Sequence, residues 1–423
     1  MNSHIVITLA TIVLAMVLFV WNRVPAVIVA VGTALVLFLT GVLTMRETLN
    51  GFGDPVVVLL VALFSIAIAL EESGVAAWAG QLLQRSGSGR TSRLVALMTV
   101  VAVLSPLMGM NGAVVAMVPV GLAIAARTMT PPSKLMIPLA FAATAAANLS
   151  LLGSPVNVVA AEKIEAVGAG PFGFFAWALV GVPQVIGTVV IVLLLGGRLL
   201  PDRGGAADAA VSPATSAVEI AVPPIKLSAK SYIALAVLAL LIVLLAFNLV
   251  PAAIGAAICA VLMVLTRVVS VPQLVRGVDW GTCILIGAMI APAVAMSKTG
   301  AAQLLGDGVV RSIGDLGPYA VFIGLFLVTA VLSQFISNTS SALVMLPIAV
   351  ATAGDLHVAA LPMILSVALG ASTSFVMPFA NAVTLSVYAA GGYRFGDFWR
   401  LGSVVSAWAF VVAVALVPLL WPF

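Results

Sequence analysis

Apolar residues run along this chain in long blocks rather than in alternation with polar ones. A helix needs about 20 apolar residues to cross a bilayer. Uninterrupted runs near that length occupy 5–21, 24–43, 55–70, 174–196, 232–250, 252–265, 281–296 and 401–421. Four further regions, 94–126, 135–167, 319–353 and 361–390, are apolar but interrupted by Gly, Pro, Asn or Ser. Each is roughly 30 residues long, too long for one span and too short for two. The polar stretch 201–230, with Gly204, Gly205, Pro213, Pro223 and Pro224, reads as a surface linker between two halves. The predicted organisation is a first repeat over 1–200, a cytoplasmic linker over 201–230 and a second repeat over 231–423.

Composition narrows the class. Only 8% of the residues are charged and 63% are hydrophobic, against about 25% charged in a soluble domain. That excludes a soluble enzyme, a nucleic-acid binder and a disordered chain. A transmembrane barrel needs polar alternation on its lumen side, and these runs are continuous. The prediction is an all-α polytopic membrane protein. Cys259 and Cys283 lie inside apolar runs and read as small buried hydrophobes. His4 and His357 fall at segment ends with no second metal ligand or nucleophile beside them. No GxxxxGK[ST] phosphate loop is present, so an ATP motor is not expected. The N-terminus lacks a basic n-region and a small-residue cleavage site, so the first run reads as a retained helix. Glu71-Glu72, the Glu162/Lys163/Glu165 cluster and Asp355 with His357 all fall at segment ends, where interfacial solvation accounts for them. With no acid/base pair in the apolar centres, an embedded enzyme is not expected either.

The net charge is +4, with 18 Lys and Arg. Suppose the N-terminus is extracytoplasmic and regions 94–126 and 319–353 each enter and leave from one side. Then all basic residues but Arg46, Lys163, Lys298 and Arg311 fall inside. The positive-inside rule therefore favours ten spans, two re-entrant hairpins and both termini on the extracytoplasmic side of the plasma (inner) membrane.

The halves also align. Glu72-Ser73-Gly74 matches Lys298-Thr299-Gly300 at an offset of 226, and 104–111 matches 332–339 at 228. Met117-Val118-Pro119 then meets Met345-Leu346-Pro347 without a gap. Pro138 and Pro362 begin matching helices, which break around Gly153 and Pro378. Five spans and one hairpin per half make the repeats inverted, because five is odd. Irregular backbone at membrane depth persists only where it is buried or lines a cavity. Matched broken helices point to a transport site at the midplane. Half-helix N-termini suit an anion, while freed carbonyls and hydroxyls suit a hard cation such as sodium.

Four segments carry that chemistry. They are the hairpin tips Ser337-Asn338-Thr339-Ser340-Ser341 and Gly109-Met110-Asn111-Gly112, and the breaks 148–157 and 372–384. Ordinary capping or a proline kink remains the alternative at each.

These segments resemble the divalent anion:sodium symporter family, the sodium/sulfate and sodium/dicarboxylate carriers of the larger ion transporter superfamily. The resemblance spans nearly the whole chain. It rests on ISNTSSALVMLPIA (336–349), PPSKLMIPLAFAATAAANLSLLGSPVN (131–157) and SFVMPFANAVTLSVYAAGGYRFGDF (374–398). The family places a Ser-Asn-Thr signature at each hairpin tip. Ser337, Asn338 and Thr339 match it in full, whereas at the first tip only Asn111 does, with Gly109 and Met110 in polar positions. The resemblance implies an anion site at Asn111, Ser337, Asn338, Thr339, Pro378 and Asn381. It implies sodium ligands among Asn111, Gly153, Ser154, Asn157, Ser337, Asn338, Ser374 and Asn381. It further implies a homodimer and an elevator-like movement. The expected function is secondary active transport of a small divalent anion such as sulfate or a dicarboxylate, coupled to sodium. The alternative is a sodium/proton antiporter or metalloid-oxyanion exporter of the same superfamily.

Overall fold

The computed structural model describes residues 3–21, 23–75, 78, 89–170, 172–202, 227–247, 249–305, 308, 316–378 and 380–423. Most of the expected linker (203–226), and with it Arg203, together with Arg85 and Arg311, lies outside the described residues. The described residues form helices and connecting turns, with no strand among them. In lipid every backbone N–H and C=O must be satisfied within the protein, and a helix does this within itself.

The first half contributes α1 (Ser3–Trp21), α2 (Ala26–Leu39), α3 (Met45–Leu49), α4 (Pro55–Glu72), α5 (Arg90–Met108), α6 (Met110–Arg127), α7 (Met136–Ala146), α8 (Pro155–Ala166) and α9 (Ala178–Leu199). The second contributes α10 (Ala229–Ala246), α11 (Ala252–Leu265), α12 (Val271–Gly277), α13 (Trp280–Thr299), α14 (Pro318–Leu332), α15 (Asn338–Asp355), α16 (Ala360–Ser372), α17 (Ala382–Ala390) and α18 (Phe398–Leu420). The helices start where local chemistry predicts. Asp54 caps α4 by accepting from Val56 N, and Pro55 occupies the first turn. Two short helices, α3 and α12, were not anticipated. Each opens on a capping box, Thr44 with Glu47 and Ser270 with Gln273. At five and seven residues they are too short for periodicity to reveal.

Many packing contacts in the first half have a counterpart in the second. Helix α1 packs on α2 and α13, as α10 packs on α11 and α4. Helix α5 packs on α6 and α7, as α14 packs on α15 and α16. Helix α7 packs on α9 as α16 does on α18, and α9 meets α18 between the halves. The broken pairs cross over: α8 packs on α15 and α16, while α17 packs on α6 and α7. The buried interior includes Phe141 edge-on to Phe375 at 5.2 Å, joining α7 to the second break. The outer faces carry exposed Leu39, Leu194 and Leu419, as surfaces against lipid tails would.

The ends of this helical core are tied by polar contacts. Lys134 Nζ donates to the carbonyls of Gly197 (3.0 Å) and Leu200 (2.6 Å), closing the C-terminus of α9. Tyr393 OH donates to Ser133 O and accepts from Ile137 N. Burial raises the pKa of that phenol far above its ordinary value, so it stays a donor.

Glycine lets α9 and α18 press against the breaks. A Cβ at Gly181 would stand 2.1 Å from Asn148 O, and one at Gly402 would stand 2.2 Å from Phe375 O. Gly402→Ala is expected to cost roughly 1–3 kcal/mol through overpacking. Gly197→Ala, whose Cβ would meet nothing within 4 Å, serves as the control. Thermal unfolding of the purified variants in detergent checks the difference.

Candidate functional site

Both hairpin tips lie beside a broken helix, but they turn differently. The α5–α6 reversal takes a single residue, Gly109, at φ 78° and ψ 151°. A side chain rarely adopts that conformation. This accounts for the missing hydroxyl at the first tip: a reversal this tight requires glycine. The second hairpin spends residues 333–337 on its turn, and Ser337 sits at an ordinary φ of −59°. Its Oγ accepts from Ser340 N at 3.1 Å and so caps α15. Ser337 therefore has the capping role that was its alternative reading.

The first break begins after Ala146. Residues 147–149 and 151–153 form single 3-10 turns around an extended Ser150. The freed carbonyls are collected by Asn157, whose Nδ2 donates to Ala147 O (2.8 Å) and Ser150 O (2.9 Å). Ser150 Oγ donates to Pro106 O on the hairpin (2.7 Å). Ser154 caps α8 through Val156 N. Gly153 is required by packing, since its Cβ would lie 2.1 Å from Ala147 O.

The second break repeats this scheme with other groups. Ser374 Oγ, fully buried, accepts from Asn338 Nδ2 (2.9 Å) and Asn381 Nδ2 (2.8 Å). Asn381 Oδ1 accepts from Thr384 N, and Thr384 Oγ1 donates to the carbonyl of buried Pro378. Thr339 is buried in the first turn of α15. Gln334, on the hairpin, was not singled out from the sequence. Its Nε2 donates to Thr373 O (2.7 Å) and its Oε1 accepts from Val376 N (3.2 Å). One amide thus satisfies two groups of the broken backbone. A clue lay in the half-to-half alignment, where Gln334 faces Pro106, the residue that Ser150 grips.

Three of the expected residues, Asn338, Ser374 and Asn381, are joined directly by hydrogen bonds. Asn111, Gly153 and Ser154 meet elsewhere, on the wall of a cavity of about 170 Å³ between the first tip, the first break and α4. None of Ser337, Asn338, Thr339, Ser374, Pro378 and Asn381 lines that cavity. The halves still touch, since α8, which carries Asn157, packs on α15, which carries Asn338. Oδ1 of Asn157 and Oδ1 of Asn338 are buried without a hydrogen-bond partner. A buried, unpaired amide oxygen is costly unless something occupies it. Neutral oxygens of this kind, beside freed carbonyls, fit a hard monovalent cation.

Apolar helices, two hairpins and two breaks define a multi-pass membrane transporter rather than an enzyme. The chain belongs to the CitMHS family, described as citrate transporters, which matches residues 16–370 and again 243–423. The whole chain aligns over 610 positions with the whole of the uncharacterized transporter YfbS of Escherichia coli, at 24% identity. It is 32% identical over 162 residues to the probable sodium/sulfate cotransporter 3 of Chlamydomonas reinhardtii, covering 38% of this chain and 18% of that protein. The expected kinship with sodium/sulfate carriers is thereby borne out. The fold is similar to the crystal structure of the Alcanivorax borkumensis YdaH transporter, with a TM-score of 0.60 and 15% identity. That similarity covers 96% of this chain and 99% of that one.

Gln334→Ala removes a partner from Thr373 O and Val376 N, and a lost partner at a buried polar group costs about 1–3 kcal/mol. The melting temperature and the uptake rate are both expected to fall. Gly109→Ser, which returns a hydroxyl to the first tip, is expected to lower stability because of the positive φ. Thermal unfolding of the two variants checks this.

Proposed function

We propose that this protein is a sodium-coupled secondary carrier of a small oxygen-bearing anion. The tips 109–112 and 337–341 and the breaks 148–157 and 372–384 form its moving site. The observation that carries this reading is the pair of buried, unpartnered oxygens on Asn157 and Asn338. Sodium would supply the positive charge that the site's own side chains lack. Gly153, Ser154, Asn157, Ser374, Asn338 and Asn381 are its proposed holders, with Asn111, on the cavity wall, facing the anion. Sulfate and dicarboxylates are the first anions to test, given the names of the sodium/sulfate relatives and of the citrate transporter family. We further assign residues 1–200 and 231–423 to two inverted repeats, place both termini on the extracytoplasmic side, and expect a homodimer with elevator-like movement.

A second reading, proton coupling, is favoured by one observation. Glu162 on α8 is hydrogen-bonded to Asp54, the cap of α4. The two carboxyls belong to different helices. This pair sits at span ends, away from the tips.

Reconstituted vesicles separate the two. Uptake of sulfate, succinate or citrate is expected to require inward sodium and to be indifferent to a proton gradient. Asn338→Ala is expected to abolish uptake while lowering the melting temperature no more than Gln334→Ala does, since Ser374 Oγ keeps Asn381 as a donor. Uptake that ignores sodium, or an Asn338→Ala variant that transports normally, would remove this proposal. Proton movement lost in Glu162→Gln would favour the second reading.

A further inference from the structure

The cavity beside the first tip has an unusual wall for an anion. Leu60, Leu63, Phe64 and Ala67 all line it from α4. Their spacing of three and four residues places them on one face of the helix. Leu107, Met110, Leu152 and Val158 close the other side. The polar side chains at the inner end are Asn111 and Ser154. Glu71 and Asp279, both exposed, line the outer end, and among the described residues no Lys, Arg or His lines the cavity.

Three physical facts bear on what fits. First, the cost of desolvating an ion grows with the square of its charge, so a dianion costs about four times a monoanion of equal size. No basic side chain among the described lining residues offsets it, and one sodium held at Gly153 and Ser154 would balance a single negative charge. Second, each negative charge entering passes two carboxylates, and the repulsion is paid per unit of substrate charge. Third, hydrocarbon walls reward hydrocarbon: each buried methylene gains roughly fourfold in affinity. A cavity of about 150 Å³ lined by Leu, Ile and Phe is large enough to hold benzene, and this one measures about 170 Å³. Sulfate would leave most of that wall without contact.

We infer that the preferred substrate is a monovalent organic acid whose single carboxylate sits by Asn111 and whose apolar body, a ring or a short alkyl chain, lies along Leu63 and Phe64 of α4. This rests on the carrier reading above and narrows it from small anions in general to amphipathic monocarboxylates.

Thermal unfolding of the purified full chain in detergent tests it, in sodium and in potassium. The panel is sulfate, succinate, citrate, hexanoate and benzoate, with hexanol as the uncharged control. Hexanoate or benzoate is expected to raise the melting temperature in sodium, with an affinity at least tenfold tighter than that of sulfate, succinate or citrate. Hexanol is expected to give no sodium-dependent shift. Leu63→Asn is expected to weaken hexanoate binding at least tenfold. Should it fold poorly, Leu63→Ala is expected to weaken it at least fivefold. Tighter binding of sulfate, succinate or citrate, or hexanoate binding untouched by either Leu63 variant, overturns the inference while leaving sodium-coupled anion transport standing. A hexanol shift equal to that of hexanoate also overturns it. If no anion shifts the melting temperature in sodium, the carrier reading falls and this inference with it.

Discussion

Lipid supplies no hydrogen bonds, so a helix that breaks inside a membrane must find a partner for every group it releases. The architecture around the tips follows from that constraint. Asn157 gathers Ala147 O and Ser150 O, Gln334 takes Thr373 O and Val376 N, and Ser374 receives two amides at once. Glycines at 181 and 402 bring α9 and α18 close enough to shield the same backbone. Among the buried polar atoms left unpaired are Oδ1 of Asn157 and of Asn338, with Asn148 Oδ1 and Ser372 Oγ in the same breaks.

The two halves solve this constraint with different chemistry. In the first, the break reaches out to the hairpin, with Ser150 donating to Pro106 O. In the second, the hairpin reaches out to the break through Gln334 and Asn338. The first tip is glycine-tight and faces an apolar cavity. The second is hydroxyl-rich and closed upon itself. Similar packing thus carries two unlike surfaces. One suits hydrocarbon and the other suits oxygen ligation.

Much of this was written in the order of residues. The hairpins and breaks announce themselves because Gly, Pro, Asn and Ser interrupt apolar runs that need no interruption. The match of 104–111 to 332–339 sets Pro106 against Gln334, but says nothing of what either does. Their partners, Ser150 and Thr373, lie about 40 residues away in sequence (|i−j| of 44 and 39), and no local pattern encodes such a contact. The short helices α3 and α12 escaped because one or two turns leave no period. The apolar wall of the cavity escaped for the opposite reason. Helix α4 is apolar on every side, so the face turned to the cavity looks like the faces turned to lipid or to neighbours. The cap formed by Ser337 was readable as chemistry from a serine placed at the start of an apolar helix.

Gly109 carries a consequence for how such a protein can change over generations. Its backbone angle admits glycine and little else, so no single codon change converts the first tip into a copy of the second. Regaining the longer turn would take inserted residues, and an insertion there would shift Asn111 off the cavity. Leu63 and Phe64, by contrast, sit on a regular helix that tolerates replacement one position at a time. The cavity wall can therefore be altered through α4 while both tips keep their geometry.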